Sequence, residues 1–87
     1  MFSHFTVITE GVAHNLDRHF DCRNGRVFMS VNLWVETEEQ IFDMVSEIGR
    51  DAGCDVRGDL RVYKTEPKQA AQNDAYGYGI NFAPYGD

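Results

Sequence analysis

Residues 26–67 decide the fold, and they read RVFMSVNLWVETEEQIFDMVSEIGRDAGCDVRGDLRVYKTEP. The first part of this stretch alternates apolar and mostly more polar residues, which is the period of a half-buried strand. Its apolar members are Val27, Met29, Val31, Leu33 and Val35. A strand is therefore predicted over Arg26–Val35, and the rest of the chain must supply the surface that covers it.

The segment Thr37-Glu38-Glu39-Gln40 has the form of a capping box, which satisfies main-chain N–H groups at the start of a helix. A helix with one apolar stripe is predicted from about Glu38 to Ala52. Gly53 suits the left-handed residue that ends a helix. The next strand is predicted over Leu60–Thr65, and a right-handed crossover would make it parallel to Arg26–Val35.

Three further segments complete the predicted sheet. Phe2–Ile8 and Tyr78–Ala83 are both predicted as strands, the second within an alternation of bulky and very small residues. Asn24-Gly25 is the strongest turn signal, because both residues tolerate the positive φ that a type I′ turn requires. It predicts a hairpin between Asp17–Arg23 and Arg26–Val35.

Together these elements predict one α+β domain over residues 1–87. The expected architecture is a four- to five-stranded, mostly antiparallel sheet with one main amphipathic helix packed on one face. A flexible polar segment is expected at about residues 67–75. A ferredoxin-like strand order stays open as an alternative, provided that residues 11–18 are helical.

The charge balance restricts the class of partner. The chain has 14 acidic and 8 basic residues and a formal net charge of −6. Because an acidic protein repels phosphates, direct nucleic-acid binding is disfavoured and a protein with a basic surface is the expected partner. The sequence contains neither a signal peptide nor an apolar run long enough to span a membrane. We therefore expect no membrane association and a cytoplasmic location.

One face of the predicted helix carries a row of carboxylates. Glu39, Asp43 and Glu47 recur at every fourth residue, and Asp51 extends the row. Carboxylates at this spacing lie roughly 6 Å apart, which resembles the separation of successive phosphates on a nucleic-acid strand. The row is therefore a candidate partner-binding surface that acts as a nucleic-acid mimic. The plainer interpretation is an ordinary solvated helix face.

Aromatic residues supply further candidates for partner binding. Tyr76 and Tyr85 lie in an aromatic-rich C-terminal segment, and Trp34 lies in a predicted strand on the side opposite the apolar alternation. Tyrosine and tryptophan are enriched at interfaces because they bury a large area and keep a polar tip. The intervening Tyr78, Ile80 and Phe82 are interpreted as core.

The histidines and cysteines give no chemical motif. His14, His19 and Cys22 have no recognised zinc spacing, and neither Cys22 nor Cys54 belongs to a Cys-x-x-Cys pair. No catalytic residues, no metal site and no cofactor are predicted, and the chain is expected not to be an enzyme. A small enzyme or ligand binder using His14, His19 or Cys22 is kept as a further alternative.

The functional hypothesis is a non-enzymatic protein-binding module that occupies a basic surface of another protein. At the level of class, it is analogous to the small acidic inhibitors of phages and other mobile elements, including anti-CRISPR-like proteins, which block nucleases or defence complexes. The alternative is a homo-oligomeric structural or accessory domain, in which the C-terminal strand or an unpaired sheet edge joins two copies as a homodimer.

Overall fold

Four antiparallel strands form one sheet in the computed structural model, which describes residues 1–85. In chain order they are β1 (Ser3–Ala13), β2 (Gly25–Val35), β3 (Cys54–Lys64) and β4 (Tyr76–Pro84), and the strand order across the sheet is β3-β1-β2-β4. The helix α1 (Ile41–Ala52) packs on one face, which we call the inner face. The predicted α+β class is confirmed with four strands, while residues 86–87 of the predicted domain lie outside the described residues.

The central strand β2 supplies most of the core. All five of its predicted inward residues are fully buried, with exposed fractions of 0%. Four of them pack against Ile41 and Val45 of α1 and lie beside Phe5 and Val7 of β1, while Val27 packs against Ala13 and Cys54. Each fully buried side chain of this size contributes about 1.5–3 kcal/mol relative to an exposed one. The fold therefore depends on a single apolar layer between the helix and the inner face.

The helix begins as the capping box predicts. A short 3₁₀ turn over Glu38–Gln40 leads into α1, and the Gln40 Oε1 atom accepts hydrogen bonds from the main-chain N–H groups of Glu36 and Thr37, at 2.8 and 3.3 Å. Gly53 ends the helix with a φ of 98°, as predicted. Its carbonyl oxygen also accepts hydrogen bonds from the main-chain N–H groups of His14 and Asn15. Gly53 thus connects the end of the helix to the loop that follows β1.

The predicted hairpin at Asn24-Gly25 is wrong. β2 pairs with β1, where Ala13 lies opposite Gly25, and residues 14–24 form the connecting loop. Asp17–Arg23 contains a 3₁₀ turn instead of a strand. Among the described non-glycine residues only Asp21 has a positive φ, so Asn24 lacks the positive φ that a type I′ turn requires. The physical reason is that β1 runs on to Ala13 with an inward-facing apolar pattern, and it therefore covers β2 better than the polar segment 17–23.

β3 and β2 run in the same direction, as the crossover predicted, because both are antiparallel to β1, which lies between them. β3 begins at Cys54, earlier than the predicted Leu60, and a bulge around Gly58 (φ 85°) interrupts its pairing with β1. The ferredoxin-like alternative fails, because residues 11–18 form no α-helix. Residues 11–13 belong to β1, and Arg18 is the first residue of a short 3₁₀ turn over Arg18–Phe20.

A second bulge changes which face the C-terminal aromatic residues occupy. The pairing of β2 with β4 shifts between Ser30 and Asn32, where Gly79 has a φ of 66°. Ile80 packs against the inner-face core, as does Phe82. Tyr78 lies opposite Asn32 on the other side of the sheet, which we call the outer face. The interpretation of Tyr78 as inner-face core is therefore wrong, because the extra residue at the bulge reverses the alternation.

We expect Gly53→Ala to lower the free energy of unfolding by about 2–5 kcal/mol, measured by urea denaturation. A left-handed alanine costs about 1–2 kcal/mol, and the added Cβ would collide with the main-chain carbonyl of Asn15, which adds about 1–3 kcal/mol. Gly25→Ala is the matched control, because Gly25 also has positive φ (115°) but has no atom within 4 Å of an added Cβ. Equal losses for the two variants would contradict the steric explanation.

Candidate functional site

The solvent side of the helix carries the predicted row of carboxylates. Glu39, Asp43, Glu47 and Asp51 are all exposed, and Glu38 adds a fifth carboxylate at the helix start. The stripe that includes Ile41 and Val45 holds the opposite side of the helix against the core. Within the described residues, none of the five carboxylates forms a hydrogen bond or an ion pair. We call this surface, together with Phe42, the acidic helix face.

Phe42 is the residue that the sequence interpretation left out of the site. Its side chain is 57% exposed, although it lies on a helix whose apolar stripe is buried. Glu38 and Glu39 lie one turn before Phe42, and Asp43 follows it, so an exposed aromatic ring has carboxylates around it. The signal in the sequence was its position one residue beyond Ile41, which rotates Phe42 about 100° from the middle of the stripe.

Trp34 and Tyr76 lie on the outer face of the sheet, across the sheet from the acidic helix face. Trp34 Nε1 donates a hydrogen bond to the carbonyl oxygen of Gln69 at 2.8 Å, and the Tyr76 hydroxyl donates one to the carbonyl oxygen of Ala70 at 2.6 Å. These two predicted partner-binding side chains therefore bind the segment between β3 and β4 of their own chain. The structure therefore does not bring them together with the carboxylate row.

A buried histidine anchors the same segment. His4 is 4% exposed, and its Nδ1 atom lies 3.0 Å from the carbonyl oxygen of Thr65 while its Nε2 atom lies 2.7 Å from the Tyr78 hydroxyl. Because a carbonyl oxygen only accepts, Nδ1 donates in the neutral ring and Nε2 accepts from Tyr78. The Tyr78 oxygen in turn accepts from the main-chain N–H groups of Lys68 and Gln69, at 2.9 and 3.4 Å. The flexibility predicted for residues 67–75 stays a prediction, but its first part has four hydrogen bonds to outer-face aromatic side chains.

Tyr85, the third aromatic candidate, also contacts its own chain. Its ring stacks on Phe28, with a centroid distance of 4.7 Å and an interplanar angle of 13°. The Arg26 guanidinium lies 4.1 Å from the centre of the Tyr85 ring, within the range of a cation–π contact. Tyr85 therefore covers part of the outer face near the start of β2.

The two exposed histidines are each paired with one aspartate. His14 Nε2 lies 2.8 Å from Asp55 Oδ2, and His19 Nδ1 lies 2.9 Å from Asp17 Oδ1. The main-chain N–H of His19 also donates to Asp17, and this hydrogen bond is the main cause that lowers the pKa of Asp17 below its ordinary value. Within residues 1–85, no group of three or more His, Cys, Asp or Glu side chains has the arrangement of a metal site.

A cleft of about 740 Å³ opens beside the C-terminal end of α1. Apolar side chains from three elements line it, and the carboxylates of Asp17 and Asp51 lie at its edge. The apolar members are Leu16, Phe20, Ile48, Ala52 and Ile80. Clefts of about 300–1,000 Å³ are typical of ligand sites. The cleft adjoins the acidic helix face through Asp51, so one partner can contact both.

Comparison with known proteins adds no family to this geometry. No protein-family model, no curated protein and no solved structure matches the chain. Among the described residues there is also no helix with the length and apolar character that a membrane crossing requires. The functional proposal therefore rests on this chain's own residues.

We expect Tyr78→Phe to lower the free energy of unfolding by about 1–3 kcal/mol and to shift the emission of Trp34, the single tryptophan, to longer wavelength. The missing hydroxyl leaves His4 and the N–H groups of Lys68 and Gln69 without their partner, so the segment near Trp34 loosens. Urea denaturation and fluorescence measure the two effects. Tyr63→Phe is the control, because Tyr63 is 48% exposed, and unchanged emission in Tyr78→Phe would contradict the anchoring role.

The two cysteines should react at different rates with a thiol reagent. Burial raises the pKa of the Cys54 thiol, and the neighbouring Asp55 carboxylate raises it further, so at neutral pH Cys54 stays protonated as well as inaccessible. Cys22 is only partly buried. We expect one thiol, Cys22, to react in the folded protein and Cys54 to react only after unfolding. Mass spectrometry of the labelled protein identifies the site, and early labelling of Cys54 would contradict its burial.

Proposed function

We propose that this protein is a non-enzymatic protein-binding module that inserts its acidic helix face into a basic surface of another protein. The observation that carries the proposal is the combination of five exposed, unpaired carboxylates with an exposed phenylalanine on one helix. α1 is held on the sheet by a fully buried Val45, so its outer side chains are presented on a rigid support. A rigid, preorganised surface loses less conformational entropy on binding.

The energetics of the carboxylate row favour a charged partner. Like charges four residues apart on a helix destabilise it by about 0.2–0.5 kcal/mol per pair, and no described basic side chain forms an ion pair with this row. A basic surface would remove that repulsion and would also accelerate association by electrostatic steering. Phe42 would supply the apolar anchor, because aromatic side chains that lose their water at the centre of an interface contribute most of the affinity.

The partner that fits this face best is a protein with a groove for nucleic-acid phosphates. Carboxylates on one helix face, roughly 6 Å apart, approximate the spacing of phosphates along a strand. A nuclease or a nucleic-acid-guided defence complex has such a groove, so the proposed role is inhibition by occupation. This role is the one found among acidic inhibitors of phages and other mobile elements, and we propose it here at the level of that class.

The small-enzyme alternative receives less support from the geometry. His14 and His19 are both exposed, and each contacts a single aspartate on a different part of the surface. A nucleophilic pair needs a base within hydrogen-bond reach of the nucleophile and a third group that orients the base. Cys54, although close in sequence to Asp55, is buried and holds its proton.

The test is affinity capture from the native host with a matched pair of charge-reversed variants. Asp43→Lys with Glu47→Lys reverses the middle of the acidic helix face, while Glu66→Lys with Asp74→Lys makes the same change of net charge in the exposed segment between β3 and β4. We expect wild type and the second pair to retain a common partner, identified by mass spectrometry, and the first pair to lose it. With the purified partner, the first pair should weaken binding by about 100-fold or more.

Salt dependence and Phe42 separate this proposal from nonspecific capture. Affinity should fall steeply as salt rises, because charges that are exposed before binding are screened beyond about 8 Å at physiological ionic strength. Phe42→Ser should weaken binding by at least about tenfold, whereas Val62→Ser, another exposed apolar residue, should leave it unchanged. If the two charge-reversed pairs bind every captured partner equally well, the acidic helix face is not the binding surface.

A further inference from the structure

Three arginines that are far apart in sequence meet on the outer face of the sheet. The strand register places Arg57 opposite Glu10, and Glu10 opposite Phe28. One step further along, Arg61 lies opposite Ile8. In the opposite direction along β1 from Glu10, Arg26 lies opposite Val12. Residues directly opposite in a sheet share a face, so these side chains form one surface, which we call the open patch. Its members are Ile8, Glu10, Val12, Arg26, Phe28, Asp55, Arg57 and Arg61, with Asp55 opposite Val12.

The open patch is the half of the outer face that the segment between β3 and β4 leaves uncovered, and Tyr85 lies over Phe28 at its edge. The segment after β3 crosses the other half, where Trp34 and Tyr78 hold it by hydrogen bonds. In the open patch the arginines are exposed, while Ile8, Val12 and Phe28 are only partly buried. The patch therefore has an apolar middle, with three arginines and the carboxylates of Glu10 and Asp55 around it.

A hollow of about 200 Å³ lies in the open patch between Arg26 and Arg57, and Gly58 and residues 10–12 complete its lining. A cavity of about 150 Å³ is large enough to hold a benzene ring. The hollow thus has the size of one phenyl side chain. Glu10 already lies 3.8 Å from Arg26, but both groups are largely exposed, so this ion pair is worth no more than about 1 kcal/mol and can be exchanged for another carboxylate.

The acidic helix face has the complementary design. It presents Phe42 between Glu38, Glu39 and Asp43, whereas the open patch presents a phenyl-sized hollow between arginines. The two surfaces lie on opposite sides of the sheet, so one molecule cannot join them to each other. Two molecules can, and because the surfaces differ, the contact is head-to-tail.

We propose that a second copy of this chain is the occupant of the open patch, with its Phe42 in the hollow and its helix carboxylates on Arg26, Arg57 and Arg61. A strand of nucleic acid fits less well, because Glu10 lies within the patch and the protein has a net charge of −6. The repulsion between two such molecules is largely screened beyond about 8 Å at physiological salt, so the local charges decide the contact. A second copy and a basic partner protein compete for the same helix face.

The small area of the open patch predicts a weak contact. Along β2 the open patch covers the five residues 26–30, about 17 Å, and three strands are about 14 Å wide, which gives on the order of 200 Å² of flat area. Specific stable interfaces bury about 800 Å² per partner. The dissociation constant of self-association is therefore expected to be about 0.1–1 mM. The association is a reversible equilibrium, and the protein is not an obligate oligomer.

The test is sedimentation of the full chain from about 10 µM to about 1 mM, at low salt (~20 mM) and high salt (~500 mM). Wild type should associate at low salt and be monomeric at high salt. Two variants should each lose association: Arg57→Glu with Arg61→Glu on the open patch, and Glu39→Lys with Asp43→Lys on the helix. Mixed together, these variants should associate again, because the reversed charges are complementary. A symmetric helix-to-helix contact would join like charges in the wild type and would therefore strengthen at high salt, and an edge-to-edge contact would persist in the Glu39→Lys with Asp43→Lys variant alone.

Two controls address folding and net charge. Lys64→Glu makes the same type of charge change on β3, but Lys64 lies opposite Phe5 and so projects to the inner-face side, and it should leave association unchanged. Phe42→Ser should raise the dissociation constant at least about tenfold, while Val62→Ser should not. The proposal is overturned if wild type stays monomeric at about 1 mM in low salt, if the mixed variants fail to associate, or if single-stranded nucleic acid but not a second copy binds the open patch.

Discussion

The structure depends on one layer of apolar contacts between a single helix and one face of a four-stranded sheet. The inward side chains of β2, from Val27 to Val35, have no exposed surface, and α1 packs on those from Met29 to Val35. Residues 1–85 contain no second α-helix to place on the other side. Every β2 residue that alternates with the buried ones must therefore face either water, the chain's own loops or another molecule.

The two halves of the outer face are covered in different ways. At one end, His4 and Tyr78 hold the segment after β3 across the sheet, and polar side chains satisfy one another: the Thr6 hydroxyl donates to Asn32 Oδ1 at 2.6 Å. In the described chain no buried side-chain polar atom lacks a hydrogen-bond partner. At the other end, Tyr85 covers Phe28, and arginines surround the rest. The same constraint thus produces an aromatic and polar cluster and, beside it, a patch with three arginines and two carboxylates.

The helix is richer in acidic residues and the strand that follows it is richer in basic ones, although Arg50 lies on α1 and Asp55 and Asp59 lie on β3. Five of the 14 acidic residues line the helix from Glu38 to Asp51, whereas four of the eight basic residues lie between Arg57 and Lys68. An amphipathic helix requires a polar outer side, but it does not require one sign of charge. Mixed charges four residues apart would stabilise α1, and the observed row does the opposite. The arrangement is therefore understandable only as solvation tolerated at a small cost or as a surface that another molecule uses.

Local signals predicted the elements whose conformation local chemistry determines. The alternation in β2, the capping box at Thr37 and the left-handed Gly53 all belong to this group. The hairpin at Asn24-Gly25 was wrong because a turn propensity of two residues competes with the pairing of whole strands, and β1 offers β2 a longer apolar partner. The position of Tyr78 was wrong because one extra residue at a bulge inverts every later side chain.

The two candidate surfaces also differ in whether the sequence predicts them. The row from Glu39 to Asp51 follows from helical periodicity and was predicted, and the structure leaves its side chains exposed. The open patch combines residues from three strands, and it was not predictable without the register, which itself depends on two bulges. Scattered arginines in the sequence gave no hint of a basic surface.

The proposal of a partner-binding helix face, as opposed to a merely solvated one, depends most on Phe42. Carboxylates alone serve solubility, and any acidic protein of this size needs some of them. A phenylalanine that is 57% exposed adds nothing to solubility, and it gives the helix little packing, because Val45 and Ile41 already fill the contact with the sheet. A side chain of this kind stabilises a structure only when something removes its ring from water. The acidic row and the exposed ring are adjacent on the same helix, so one partner surface with an apolar centre and a basic rim accounts for both.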